Sequence, residues 1–201
     1  MRIAPTIFVV PTGIGCEIGG FAGDALPAAK LLASASGCLI THPNVMNGGS
    51  LSEKNDNIFY VEGYSLDRFA KGEIGLAKIN QQSLGIIFDS SIEQQILIRH
   101  LQVADACIST LGINIQSYVI TDKPVGIILE ENSLGVSGGY IKNPDSLISA
   151  GKKLIAKGVT AIAIVTKFPD ESNSCNFSAY REGIGVDKIA GVEAIISHLI
   201  S

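Results

Sequence analysis

Charged side chains are scarce in this sequence. Asp, Glu, Lys and Arg make up 17% of its 201 residues, whereas about 25% is usual in soluble proteins. Glycine is abundant instead, with 22 residues, and the mean hydropathy is +0.34. This composition favours a well-buried β-sheet, and it also indicates a further apolar surface that packs against a partner or another segment.

A surplus of basic residues is missing as well. The net charge is −4 and the isoelectric point is about 5.3, whereas nucleic acids and anionic membranes bind basic protein surfaces. No apolar run approaches the length of a membrane span. The apolar run near the amino terminus is too short for a signal peptide, and Pro11 interrupts it. We therefore expect no nucleic-acid partner, no membrane partner and a cytoplasmic location, although a local basic pocket remains compatible with the charge.

The cysteines form no CxxC pair. Cys16, Cys38, Cys107 and Cys175 are too widely spaced for a zinc knuckle. Cys38 and Cys107 lie in apolar segments, where a buried and inert thiol is the usual structure. The sequence therefore indicates no metal-ligand cluster with a recognisable spacing, leaves metal dependence open, and identifies no cofactor.

Apolar strand patterns alternate along the chain with helical patterns. The longest helical pattern follows a capping box at Ser91 to Gln94 and has apolar residues at steps of four and three, from Leu97 to Leu111. This alternation predicts a single α/β domain over residues 1–201, with a mostly parallel sheet covered by helices on both faces, in three layers and Rossmann-like in the broad sense. The predicted strands are Ile7–Val10, Cys38–Thr41, Ile58–Val61, Leu84–Phe88, Ile115–Thr121 and Thr160–Val165, with Val125–Leu129 as a hairpin partner or an extension.

A glycine-rich loop follows the first predicted strand. It contains Gly13, Gly15, Gly19, Gly20 and Asp24, and Pro27 then marks the start of a helix. Glycines allow a close approach of the main chain to a ligand, and a helix N-terminus offers unpaired N–H groups to an anion. The spacing is neither GxGxxG nor a P-loop. The loop therefore predicts a phosphate or carboxylate cradle, with a tight structural turn as the alternative.

Polar residues follow the other apolar runs. In open parallel sheets, ligands bind at the carboxyl ends of the strands, so we expect His42 and Asp89 to form an acid/base pair. Asn44, Lys123 and Lys167 are expected to contact an anionic ligand together with the glycine loop. Each of these residues also has a structural alternative, as a loop cap or an exposed side chain. The remaining polar residues at predicted strand ends are Glu62, Asp122 and Asp170.

Several long blocks of the chain resemble a family found in cyanobacteria and plant plastids that is known as a domain of unknown function. The blocks are VPTGIGCEIGGFAGDALPAAKLLAS, LITHPNVMNGGSL, YVEGYSLDRFAKGE, IRHLQVADA, YVITDKPVG, NPDSL and YREGIGVDKIAGVEAIISHLI. The resemblance covers nearly the whole chain and implies a cyanobacterial cytoplasm or a plastid stroma. It also implies a family fold that continues beyond the SHLI block, so the chain is expected to be a short member or an amino-terminal portion. Cys16 stands where the family has a small residue, which argues against a thiol nucleophile.

Two functions are consistent with these patterns. The first is a small-molecule enzyme that binds an anionic, phosphate- or carboxylate-bearing substrate at the carboxyl ends of the strands. The alternative is a non-catalytic ligand-binding or assembly module, in which the apolar surplus forms a homo-oligomer interface. Convergence of several polar strand-end residues in one cleft favours the enzyme.

Overall fold

A computed structural model describes residues 5–10, 25–46, 55–79, 81–131, 137–169 and 189–201. Within these ranges the strands are β1 (Thr6–Ile7), β2 (Leu39–Thr41), β3 (Ile58–Tyr60), β4 (Leu84–Phe88), β5 (Ile115–Ile120), β6 (Ile127–Glu131), β7 (Ser137–Ile141) and β8 (Ala161–Val165). The helices are α1 (Leu26–Ser36), α2 (Gly63–Ala70), α3 (Gln94–Leu111), α4 (Pro144–Ile155) and α5 (Ala190–Ile200).

The first three strands form a parallel sheet in the order β1-β2-β3. Helix α1 packs on this sheet; Pro27 lies in its first turn, and Gly37 ends it with a φ of 73° that glycine adopts without strain. Ala29 and Ala33 of the helix are fully buried against Leu39 and Ile58. Small residues at these helix positions allow the helix to lie close to the sheet.

A second parallel sheet has the order β5-β4-β8, and β6 and β7 form an antiparallel hairpin. Helix α4 begins where Asn143 and Pro144 predict it, and its basic last turn complements the helix dipole. Its Leu147 and Leu154 are fully buried in a core shared with Ile87 of β4 and Val192 of α5. Burial of each such side chain stabilises the fold by about 1.5–3 kcal/mol.

The predicted α/β class with parallel strands is confirmed, but the expectation of one sheet is wrong for the described strands. They form two three-stranded parallel sheets and a separate hairpin. Val125–Leu129 indeed contributes a hairpin strand, whose partner is Ser137–Ile141. The glycines of that partner are typical of loops; here Gly139 has a φ of 146°, and a Cβ on it would overlap the carbonyl oxygen of Ile128 on β6 and lie 2.7 Å from Val192 of α5.

Two predicted helix starts are also wrong. Helix α3 has Glu93 as its N-cap, without a side-chain hydrogen bond, because the amide of Ser91 is bound by Asp89 at 3.0 Å and the predicted capping box does not form. For helix α2, the sequence Gly63-Tyr64-Ser65 predicts a cap at Ser65, but the helix begins at Gly63, and the carboxylate of Glu62 accepts a hydrogen bond from the amide of Gly63.

Candidate functional site

A cleft of about 1330 Å³ lies at the carboxyl ends of β2 and β3. One wall consists of residues that follow these strands, together with the first turn of α2. The opposite wall consists of β8 and α5. The position agrees with the rule that ligands bind at the carboxyl ends of strands in open parallel sheets.

His42 lies directly after β2 and lines this cleft. It is 7% exposed, and its Nε2 accepts a hydrogen bond of 2.9 Å from the amide of Val10. A ring nitrogen that accepts a hydrogen bond carries no proton, so the neutral ring carries its proton on Nδ1. Burial lowers the pKa of His42 below its usual 6.5, which favours this neutral form. In this neutral form the N–H donor of the ring is Nδ1–H.

Asn44 binds Val10, the same residue that donates a hydrogen bond to His42. Its Nδ2 donates a hydrogen bond of 2.8 Å to the carbonyl of Val10, whose amide His42 accepts. Thr41, fully buried, donates from Oγ1 to the carbonyl of Phe8 at 2.9 Å. These side chains continue the β1–β2 ladder beyond the end of its strands. They hold Phe8 and Val10, which are among the last described residues before the glycine-rich segment, in place beside β2.

Tyr60 and Glu62 form an acidic and aromatic part of the cleft wall. The hydroxyl of Tyr60 donates to Oε1 of Glu62 at 3.5 Å. Burial, together with the negative charges of Glu62 and Glu193 and the hydrogen bond to Glu62, raises the pKa of Tyr60 to about 12. Tyr60 therefore keeps its proton at any physiological pH and acts as a donor.

Helix α5 brings Ser197 and His198 to the opposite wall. The ring of His198 stacks on Tyr64 of α2, with centroids 4.0 Å apart and an angle of 13° between the planes. The guanidinium of Arg68 lies 5.9 Å from the centre of the same tyrosine ring. This stack joins α5 to α2 across one end of the cleft and sets the width of the cleft there.

Asp89, the predicted partner of His42, does not line the cleft. Asp89 is 1% exposed. Its carboxylate accepts hydrogen bonds of 3.0 Å from the backbone amides of Ser91 and Val125, and one of 3.4 Å from the amide of Lys167. A buried carboxylate that accepts backbone N–H groups fixes the loops to which they belong. The catalytic role of Asp89 stays a prediction, and its contacts favour a structural one.

The two predicted lysines lie near Asp89 and apart from the cleft lining. Lys167 is exposed and forms an ion pair of 3.3 Å with Glu93. Lys123 is exposed, and its backbone exchanges hydrogen bonds of 3.0 Å with the hydroxyl of Ser146. Neighbouring Asp122 pairs with Lys153 at 2.8 Å, and this lysine holds the pKa of the Asp122 carboxyl below its usual value.

The glycine-loop residues Gly13, Gly15, Gly19, Gly20 and Asp24 lie outside the described residues, as does Asp170. The structure thus brings together His42 and Asn44 of the predicted site and leaves Asp89, Lys123 and Lys167 on the other sheet. The rule that ligands bind at the carboxyl ends of strands also indicated Glu62, which lines the cleft. Ser197 and His198 were not predicted, because only the contact between α5 and α2 brings them to the cleft. Tyr60 was not predicted, because it lies inside the predicted strand Ile58–Val61.

Across the described ranges, no group of three or more His, Cys, Asp or Glu side chains is arranged to hold a metal ion. Cys38 and Cys107 are free and half-buried there, whereas Cys16 and Cys175 are outside the described residues. No helix in these ranges has the length and hydropathy needed to cross a membrane.

Comparison with known families gives a clear assignment. Residues 5–201 match the model of a family described as protein of unknown function (DUF3326). The chain belongs to this family. An uncharacterized lipoprotein of Synechococcus sp. (strain ATCC 27144 / PCC 6301 / SAUG 1402/1) is 49% identical over 199 residues. The resemblance expected from the sequence blocks is confirmed: the chain belongs to a family of unknown function that has a cyanobacterial member.

The aligned region covers 99% of this chain and 55% of that relative. The DUF3326 chain therefore spans about half the length of the curated relative that it matches. No solved structure matches the chain at a significant level.

Proposed function

We propose that this DUF3326 protein binds a small molecule in the cleft at the carboxyl ends of β2 and β3. The observation that carries the proposal is the state of His42. Its Nε2 is occupied by the amide of Val10, so Nδ1–H is the donor that the ring offers in a cleft of about 1330 Å³. A partly buried neutral donor binds an oxygen acceptor more strongly than an exposed donor, because less water competes for it.

The ligand class follows from the polar groups around the cleft. Nδ1–H of His42 suits a carboxylate or phosphate oxygen, and the glycine-rich segment after Val10 is predicted to add backbone N–H groups. The described lining contains the carboxylates of Glu62 and Glu193 and no Lys or Arg. These carboxylates accept hydrogen bonds from hydroxyl or amino groups. We therefore propose an oxyanion-bearing ligand that also carries hydroxyl or amino groups, such as a sugar phosphate or a hydroxy acid.

Catalysis is a separate step in this proposal. A general base needs an accessible lone pair, and the lone pair of His42 Nε2 is used by Val10. We propose that His42 orients the ligand and that Asp89 supports the neighbouring loops. An enzyme of this family would then take its acid or base from another group at the cleft.

Thermal-shift and calorimetric titrations with inorganic phosphate, a sugar phosphate and a hydroxy acid test the proposal. A bound probe at a hundred times its dissociation constant stabilises the folded state by about 2.7 kcal/mol. Loss of one hydrogen bond to a charged oxygen costs about 1.5–3 kcal/mol, so we expect His42→Gln to weaken binding by about tenfold or more. Tyr118→Phe, which removes an exposed hydroxyl outside the cleft lining, serves as the control. Equal affinities in wild type and His42→Gln would contradict the proposal.

The second candidate function is assembly of identical subunits, and helix α3 favours it. No residue among its 18 is buried, although the helix carries the predicted apolar stripe. Ile96, Val103 and Leu111 are 40%, 60% and 53% exposed, so the apolar surface of α3 is wider than the part that packs on the sheet. A second copy of α3 would cover such a surface through ridges-into-grooves packing.

The cytoplasmic location remains a prediction. The described residues contain no membrane-spanning helix, whereas the cyanobacterial relative is named a lipoprotein. A membrane-anchored location is therefore the alternative that this name supports for the family. Ligand binding in an open cleft is compatible with either location.

A further inference from the structure

Strand β8 has one paired edge and one open edge. The amide of Ala161 donates to the carbonyl of Ser83, and the carbonyl of Val165 accepts the amide of Asp89. Alternate residues of a strand face the same neighbour. Ala161, Ala163 and Val165 therefore direct their N–H and C=O groups to β4. Ile162 and Ile164 direct theirs to the opposite edge.

That opposite edge lies in the cleft. The outward N–H and C=O groups of Ile162 and Ile164 have no hydrogen-bond partner in the described part of the chain. The same geometry occurs across the cleft on β3. The amide of Val61 donates to the carbonyl of Thr41, and the carbonyl of Asn57 accepts from the amide of Leu39. Odd-numbered residues of this strand therefore face β2, and Tyr60 directs its N–H and C=O groups away from it. Two open strand edges thus line one cleft.

In the part of the chain that the structure describes, the β8 edge has no lysine, proline, bulge or covering segment to protect it. The sequence from Thr160 to Thr166, TAIAIVT, contains no charged residue and no proline. Natural edge strands are usually blunted by lysine, proline, a bulge or a covering segment. Apolar side chains of Ile155, Val159, Ile196 and Ile200 line the cleft beside it. An unprotected apolar edge between apolar walls is typical of a strand that pairs with a further strand.

We infer that an extended segment pairs with this edge of β8. In longer family members, this segment comes from the part of the chain that lies outside the region matched here. Nearly half of the Synechococcus relative lies outside the aligned region, because the alignment covers 55% of it. The cleft, at about 1330 Å³, also exceeds the roughly 300–1,000 Å³ of a small-molecule pocket. A strand added along β8 fills the apolar end, and the polar end at His42 stays open. The inference does not depend on ligand binding.

Residue-resolved amide hydrogen exchange tests this inference on two proteins, the 201-residue chain and the full-length Synechococcus relative. In the chain, we expect the amides of Ile162 and Ile164 to exchange at least about a hundredfold faster than those of Ala163 and Val165, which pair with β4. In the relative, all four aligned amides should be protected. The two inward amides are an internal control for the integrity of the sheet.

Three results would overturn the inference. Unprotected outward amides in the full-length relative would show that its additional chain does not pair with β8. Protection of Ile162 and Ile164 in the dilute 201-residue chain would show that the edge is covered from within it. Protection that grows with the concentration of the chain would assign the edge to a second copy.

Discussion

His42 has its protonation state set by a single backbone amide. Because Val10 donates to Nε2, the ring has to break this bond before that nitrogen accepts a proton. Burial acts in the same direction and lowers the pKa of His42 in the folded protein. An unfolded chain has no such bond and titrates near the ordinary histidine value of about 6.5.

The pH dependence of stability follows from this difference. Between the lowered folded pKa and about 6.5, the unfolded state binds more protons than the folded state. The contribution of His42 to stability is therefore complete above about pH 6.5 and is lost as the pH falls toward the folded pKa. Urea unfolding at a series of pH values should show this loss in the wild type, and His42→Gln, which retains an acceptor for Val10 and does not titrate, should lack it. His198→Gln is the matched control and should keep the loss; parallel profiles for wild type and His42→Gln would refute the assignment.

The position of α5 depends on a close contact between two backbones. Gly191, near the start of the helix, lies against the β7 strand, and a Cβ atom there would be 2.5 Å from the carbonyl oxygen of Ser137 and 2.7 Å from Cα of Gly138. The amide of Gly191 also donates to Oγ of Ser137 at 2.9 Å. Only glycine permits this approach. The contact places Ser197 and His198 at the cleft wall.

Substitution of Gly191 by alanine should displace α5 from the hairpin. Overpacking of this kind costs about 1–3 kcal/mol, and we expect a loss of that size in urea unfolding, together with weaker ligand binding. Gly151→Ala is the matched control, because a Cβ at this α4 position meets its nearest atom at 3.6 Å. Alanine in a helix interior should stabilise by up to about 1 kcal/mol. Equal stability of the two variants would show that the close contact is not required.

Local patterns are sufficient to predict many of the elements. Leu84–Phe88 is a strand with the predicted bounds, and Asn143 with Pro144 starts a helix as predicted, because both signals depend on neighbouring residues alone. The hairpin strand Ser137–Ile141 was not predicted, because its glycines are typical of a loop, and the contacts that require glycine at position 139, with Ile128 of β6 and Val192 of α5, arise only in the folded chain. The candidate site was predicted in part for the same reason. Strand ends indicate His42 and Asn44, but only tertiary packing separates them from Asp89 and joins them to α5.

The whole molecule has an uneven distribution of apolar surface. One core lies between the hairpin, α4 and α5, and another lies between α1 and the first sheet. Helix α3 contributes no buried residue to either. Exposed apolar side chains also occur on the neighbouring strand β5, where Tyr118 and Ile120 are about half exposed. The expected apolar surplus of the sequence is therefore found in part on this side of the molecule.

Self-association through α3 is the expected consequence of this exposed surface. Sedimentation velocity at increasing concentration should show a dimer that Val103→Lys disrupts, since a charge at the centre of an apolar interface is left unpaired. Leu31→Lys, at a 73% exposed position on α1, should dimerise like the wild type. A chain that is monomeric at every concentration would remove the assembly function and favour ligand binding.

The bonds that His42 and Asn44 make to Val10 have a mechanical consequence. The end of the first strand segment is held by hydrogen bonds to side chains, whereas β1 itself is held by backbone hydrogen bonds to β2. A proton on Nε2 occupies the lone pair that accepts the amide of Val10, so it breaks this hydrogen bond. The backbone hydrogen bonds between β1 and β2 stay intact. Protonation of Nε2 therefore removes one of the two side-chain hydrogen bonds that hold Val10, and the hydrogen bond from Asn44 remains.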